Sequence, residues 1–264
     1  MIPKTIHYCW FGHNPLPELA LRCIESWKKF LPDYEIREWN EDNYDVHKIP
    51  YISEAYSAKK YAFVSDYARF DILYQHGGIY LDTDVEVIKD LTPIIEQGAF
   101  AGVECAGALN AGLGIASPAA MEILKEVLDS YKDEHFVNQD ESLNLKTVVT
   151  RVSEIFYKHG FVKEDKFQDV AGVKVYPTEY FCPKNYRTGV LKITPNSYTI
   201  HHYDGSWFDD WRKEVQVYTL KLYKTKGYNS LSRLNSMLFY VKQSFKNLGF
   251  INGWQYWLGK IIKK

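Results

Sequence analysis

The chain has 264 residues and a formal net charge of −1, with 46% hydrophobic and 25% charged side chains. That balance excludes a disordered polymer and leaves material for one large α/β domain, with or without a small appendage. Cys9, Cys23, Cys105 and Cys182 are scattered without CxxC spacing, which argues against a zinc knuckle or a disulfide scaffold and points to thiols in a reducing compartment. The opening MIPKTIHYCWFG turns polar too early for a secretory signal, and no run approaches the roughly 18 apolar residues of a membrane span. A cytoplasmic location is therefore the expectation. The small net charge conceals an asymmetry, because residues 215–264 hold nine of the 32 basic side chains and none of the 33 acidic ones. Blocks of this kind mark interaction surfaces.

In chain order, Ile2 to Trp10 reads as a buried strand ending at the turn Gly12-His13-Asn14-Pro15. Leu19 to Phe30 has helical spacing, with Leu21, Ile24, Trp27 and Phe30 on one side. Pro32-Asp33 breaks it, and Tyr34 to Trp39 alternates as a second strand. Strand, helix and strand joined by short turns predict a parallel α/β sheet. Ala58 to Gln75 is predicted as a helix stopped by Gly77-Gly78. Ile79-Tyr80-Leu81 then forms a short strand running into Asp82-Thr83-Asp84. Ala99 to Val103, Val173 to Tyr176 and Tyr198 to His202 are further strands, and Pro118 to Tyr131 a further helix. Beyond Tyr218 the pattern becomes basic and aromatic, without strand signals.

Asp82 and Asp84 lie two residues apart at a strand end, so a period of two aims both carboxylates the same way. Two carboxylates on one face repel each other unless a cation neutralises them. Oxygen ligands with open positions suit Mn²⁺, with Mg²⁺ as the alternative, bound jointly by protein and phosphate. A lone DxD is weak evidence; its place after a buried strand strengthens it, because ligands of α/β sheets bind at the carboxyl ends of strands. Asp66 and Arg69, three apart on the preceding helix, share a face that leads towards the Asp82 strand.

Ser65-Asp66-Tyr67-Ala68-Arg69, followed by Tyr74-Gln75-His76-Gly77-Gly78-Ile79-Tyr80-Leu81-Asp82-Thr83-Asp84, resembles the signature of the DXD sugar-transferase family. That family includes yeast-type outer-chain mannosyltransferases and bacterial capsular polysaccharide glycosyltransferases, and the block is similar to the catalytic core of the large glucosylating toxins. The opening IPKTIHYCWFG and the late His201-His202-Tyr203-Asp204-Gly205-Ser206-Trp207 agree with it, so the resemblance spans residues 2 to about 210. It implies a GT-A fold, a nucleotide-sugar-binding α/β sandwich with a mostly parallel central sheet, and transfer with retention of anomeric configuration. By the same resemblance Trp10 stacks on the base, Asp66 meets ribose or sugar hydroxyls, and Arg69 meets sugar hydroxyls or nearby carboxylates. Asp82 reaches ribose and metal, Asp84 binds the metal, and Tyr80 joins the donor site. One histidine of the His201-His202 pair completes the metal shell, with spacing to Trp207 favouring His202. Ser206 and Trp207 contact the diphosphate. A weaker similarity, to retaining galactosyltransferases of a neighbouring family, covers Asn138 to Asn144 and makes Gln139 and Asp140 sugar-site candidates, a helix cap being the alternative. Asn110, after a Gly-rich stretch, is a further candidate for the donor sugar.

The implied partners are a nucleotide-sugar donor and a glycan or lipid-linked glycan acceptor, not a nucleic acid. The catalytic domain is assigned to residues 1–214 and a basic aromatic helical tail to 215–264, where Leu238, Val241 and Phe245 share a face suited to an anionic membrane surface, docking on the catalytic domain with the lysines in water being the alternative. Two rivals are weighed. A haloacid dehalogenase-type phosphatase needs Thr or Val two residues after the second Asp, where this chain has Glu86. A non-catalytic sugar-binding descendant of a transferase is expected to have lost a metal ligand, and none is missing here.

Overall fold

The computed structural model describes residues 1–104, 107–205 and 210–249. They form two compact units, the first comprising described residues within 1–184 and 191–203, the second 185–190, 204–205 and 210–249.

In the first unit the elements run β1 (Thr5–Cys9), α1 (Glu18–Phe30), β2 (Glu35–Trp39), α2 (Pro50–Ser57), α3 (Tyr61–His76), β3 (Gly78–Tyr80) and β4 (Val85–Val87). There follow α4 (Thr92–Ile95), β5 (Phe100–Glu104), β6 (Ala108–Ser117), α5 (Glu122–Asp129), α6 (Val148–Lys158), β7 (Gln168–Val170), β8 (Val173–Tyr176), α7 (Thr178–Phe181) and β9 (Thr199–His201). Seven strands form one sheet in the order β2-β1-β3-β6-β5-β8-β7, and β4 pairs with β9 in a second, two-stranded sheet. Only β6 and β7 run against the other five strands of the large sheet. The expected α/β sandwich with a mostly parallel sheet is met in this sense of strand direction.

Strand alternation sorts the core into two layers. Ile6, Tyr8, Ile79, Leu81, Phe100 and Leu113 pack with α1, α4 and α7 residues on one face. Tyr80, Ala101, Ala111, Ile115 and Val175 pack with α2, α3, α5 and α6 on the other. The buried stripe of α1 is Ala20, Cys23, Ile24 and Trp27, while Leu21 is exposed, so the helix sits rotated from the face expected. Trp27 is completely buried and donates its indole N–H to the Val85 carbonyl at 2.7 Å, and Ser26 Oγ accepts the Val87 N–H at 2.9 Å. Helix α1 thereby holds β4, the strand that leaves the Asp82-Thr83-Asp84 segment.

The helix expected from Ala58 begins only at Tyr61, because Lys59 turns to φ 56° and separates α2 from α3. It ends as expected at Gly77, whose N–H bonds the Leu73 carbonyl. The ten-residue β6 is not among the predicted strands: the glycines and alanines of Ala108 to Ser117 give no strand alternation, yet every residue from Leu109 to Ser117 is buried. Small residues there let helices on both faces approach a central strand closely.

His7 locks β1 to its neighbours. Its Nε2 meets the Gly77 carbonyl at 2.9 Å, while Nδ1 accepts the Trp39 indole N–H at 3.1 Å. That pair of bonds requires the neutral ring, and burial lowers its pKa from 6.5 to about 4, against the opposing pull of the Gly77 carbonyl. The unfolded chain binds the proton more readily, so this contribution is present above pH 6.5 and lost as pH falls towards 4. Between pH 7 and 5 the wild type should lose about 2 kcal/mol more stability than His7→Gln. Denaturant unfolding at both pH values measures the difference; equal losses would contradict the buried neutral His7.

Candidate active site

The functional side chains gather where β1, β3 and β5 end and β6 begins. Strand β3 stops at Tyr80, and Leu81 N–H and Asp82 N–H bond the carbonyls of His7 and Gly112. The chain then turns, with Val85 N–H closing back on the Asp82 carbonyl at 3.0 Å. Asp82 and Asp84 are thus brought together by a turn rather than by strand alternation, a correction to the expected geometry that preserves its consequence. On the other side of the turn β4 pairs antiparallel with β9, setting Val85 opposite His201.

This register decides which histidine is near the carboxylates. His201 is buried with Nε2 3.2 Å from Asp84 Oδ1. His202 points to the opposite side and places its Nε2 2.8 Å from Glu86 Oε2. The preference for His202 therefore gives way to His201, because adjacent residues of β9 and its continuation face opposite ways while β4 fixes which way is inward. Ligand atoms of Asp82, Asp84 and His201 all lie within 4.8 Å of one another. Two carboxylates and one imidazole fit Mn²⁺ or Mg²⁺ held with open positions for phosphate. Burial would lower the His201 pKa, but the charge of Asp84 and the hydrogen bond to it outweigh burial and raise it. The cluster thus attracts positive charge, and a divalent ion would take the place of the His201 proton.

Asp82 is oriented from beneath. Its Oδ1 accepts the Tyr80 hydroxyl at 3.1 Å and lies 3.3 Å from Arg69 Nη2. Arg69 is buried, donates to Asp66 Oδ1 at 2.9 Å and to the Ser65 carbonyl at 3.0 Å, and lies 4.9 Å from the Tyr80 ring centre. Burial raises the Asp66 pKa to about 6, with Arg69 opposing that rise. The Asp82 Oδ2 side is bounded by Gly112, where a Cβ would collide with that oxygen. Asn110 is buried alongside: its Oδ1 accepts the Gly112 N–H at 2.8 Å and its Nδ2 donates to Glu104 Oε2 at 3.0 Å. Burial raises the Glu104 pKa, although the Asn110 bond and His201 pull it down.

The structure therefore brings Asp66, Arg69, Tyr80, Asp82, Asp84, Asn110 and His201 together. Trp10 sits half-buried just past the end of β1, with its indole N–H given to the Asn14 carbonyl at 2.6 Å. Gln139 and Asp140 lie in an exposed turn, where Asp140 Oδ1 accepts from the Ser142 amide and hydroxyl. They do not cap a helix, since Thr147 is the N-cap of α6. Ser206 and Trp207 lie outside the described residues. Gly112 and Glu104 went unread because their role depends on β6, whose composition hid it.

Residues 17–101 match the family described as "Glycosyltransferase sugar-binding region containing DXD motif". That match covers about a third of the chain, and the likeness to the family rests on this segment. Inositol phosphoceramide mannosyltransferase 3 of Schizosaccharomyces pombe is 33% identical over 103 residues, 38% of this chain and 29% of that protein. An uncharacterized glycosyltransferase of Acanthamoeba polyphaga mimivirus is 34% identical over 106 residues, 38% of this chain and 42% of its own. The chain thus spans less than half the length of either relative. Among solved structures, the PaToxG glycosyltransferase aligns with TM-score 0.45 and 21% identity over 60% of this chain and 69% of that one. The galactosyltransferase LgtC aligns with TM-score 0.40 and 16% identity over 82% of this chain and 95% of its own.

If His201 completes a metal site with Asp82 and Asp84, His201→Gln should weaken Mn²⁺ binding at least about tenfold, a loss of the size seen for disturbed metal shells. His202→Gln should leave it within about threefold, since its ring is turned to Glu86 and its backbone bond to the Asp84 carbonyl survives the substitution. Gly112→Ala should weaken Mn²⁺ binding like His201→Gln by displacing the Asp82 carboxylate. Electron paramagnetic resonance of free Mn²⁺ reads all three, and the reverse ranking of the histidines would overturn the assignment.

Proposed function

We propose that the chain is a metal-dependent, retaining hexosyltransferase that moves a hexose or N-acetylhexosamine from a nucleotide sugar to a glycan acceptor. The observation that carries this reading is the convergence, within 4.8 Å, of His201 from β9 with Asp82 and Asp84, which follow β3 in the segment similar to DXD sugar-binding regions. Asp82, Asp84 and His201 would hold Mn²⁺, with Mg²⁺ as the alternative. Such an ion neutralises the charge that develops on a departing nucleoside diphosphate.

The chain's own residues supply position. Trp10 stacks on the base, Asp66 takes ribose or sugar hydroxyls, and Asn110 meets the donor sugar. Arg69 acts as a positioning residue, setting Asp66 and Asp82 at fixed separation. Ser206 and Trp207 bind the diphosphate, and Gln139 and Asp140 approach the sugar. No side chain of the cluster is placed as a nucleophile, so the acceptor oxygen attacks the anomeric carbon from the face the diphosphate leaves. The bond to the diphosphate oxygen breaks, the acceptor bond forms, and the acceptor proton passes to the leaving phosphate.

The donor is UDP-linked in this reading. The name of the fission-yeast relative adds GDP-mannose to the donors worth testing. The biological setting proposed is bacterial surface polysaccharide synthesis, with a catalytic domain at 1–214 and a basic tail at 215–264 that works at the inner face of a membrane. The complete cluster disfavours a non-catalytic descendant.

The test is release of nucleoside diphosphate from UDP-galactose, UDP-glucose, UDP-N-acetylhexosamines and GDP-mannose, with Mn²⁺ and with EDTA. Asp84→Asn should lower turnover at least about a hundredfold, or about 2.7 kcal/mol of transition-state stabilisation. Full activity in EDTA, or near-normal turnover in the variant, would sink the proposal.

A further inference from the structure

In the second unit, α8 (Asp210–Lys226) and α9 (Ser230–Leu248) pack as a helical hairpin. Helix α9 begins with a full capping box, in which Asn229 and Ser232 exchange side-chain-to-backbone bonds. It has two apolar faces, of which one packs on α8. The face turned to α8 carries Ser236, Phe239 and Tyr240: Ser236 Oγ lies 2.7 Å from Thr219 Oγ1, Phe239 stacks on Tyr218 at 4.0 Å, and Tyr240 lies 5.6 Å from Trp211. Ser232 and Ser244 are buried. Leu231, Leu234 and Leu238, spaced i, i+3 and i+7 on one stripe, are 68%, 49% and 53% exposed, and Met237 beside them is 52% exposed. A helix serving only to complete a water-soluble hairpin turns leucines inward and serines outward. This one packs Phe239 and Tyr240 with Ser236 against α8 and leaves its leucines outward.

The charges beside the stripe indicate what it meets. Lys242 and Lys246, one and two turns beyond Leu238, and Arg233 are exposed, and no acidic residue occurs between Val215 and Lys264. A second copy docking face to face would set Arg233, Lys242 and Lys246 against their own images, a like-charge contact. An anionic bilayer accepts both features at once, leucines at the headgroup boundary and cations against lipid phosphate. We infer that the Leu231–Leu234–Met237–Leu238 face of α9, flanked by Lys242 and Lys246, is a docking surface for an anionic membrane. The inference rests on the proposed transferase activity only for its purpose, which is to hold the enzyme beside a lipid-borne glycan acceptor; the binding itself is independent of catalysis.

Full-length protein should sediment at low salt with vesicles of equal phosphatidylglycerol and phosphatidylcholine, but not with phosphatidylcholine alone. Raised salt should release it. Leu234→Ser combined with Leu238→Ser should lower the partition coefficient at least about tenfold, and Lys242→Gln with Lys246→Gln should flatten its salt dependence. Both double variants should keep the wild-type melting temperature and any donor hydrolysis, since the altered side chains are exposed. The inference is overturned if wild type ignores anionic vesicles, or if the leucine variant binds as wild type. It is equally overturned if wild type is a dimer that the leucine variant splits, or if that variant's melting temperature falls by several degrees, placing another part of the chain over the stripe. Vesicle binding without donor hydrolysis would refute the proposed activity and leave the docking surface standing.

Discussion

The candidate site depends on one buried cation. Arg69 is almost fully enclosed, and a guanidinium removed from water must be surrounded by acceptors. It finds Asp66, Asp82 and the Ser65 carbonyl, with the Tyr80 ring alongside. That demand fixes the direction of Asp82, and Gly112 leaves room for its second oxygen. Asp84 and His201 are then set from the opposite side by the β4–β9 pair, itself held by Trp27 and Ser26 of α1. Helix, turn and small sheet therefore converge on a space of a few ångströms from three distant parts of the chain.

Much of this was legible in the sequence because it is local. The period of α3, its glycine stop and the short apolar strand before Asp82 are all read from neighbours within a few residues, and the structure places each near its expected position. The i, i+3 spacing of Asp66 and Arg69 gave their shared face for the same reason. What lay beyond reading was long-range. The choice between His201 and His202 is a question of register between β4 and β9, segments more than a hundred residues apart, and no local pattern encodes it.

Strand β6 is hidden in the sequence for a different reason. Residues 108–117 are rich in glycine and alanine because they cross the middle of the sheet beneath helices and beside Asp82, where side chains would collide. The composition that suits this position is also that of a loop. The tail presented the converse case: its basic and aromatic content was plain, whereas the outward turn of the leucine stripe of α9 emerges only from the packing of the hairpin, and Val241 and Phe245 proved less informative than Leu231 and Leu234.

The central claim is that Asp82, Asp84 and His201 hold a divalent ion that in turn holds a diphosphate. Isothermal titration of UDP and of GDP, each with Mn²⁺ and after its removal by chelation, tests this most directly because it needs neither the donor sugar nor the acceptor. The account predicts that the preferred nucleotide binds at least about tenfold more tightly with Mn²⁺, a coupling of about 1.4 kcal/mol. Equal affinity with and without the ion, or binding of neither nucleotide, would contradict it.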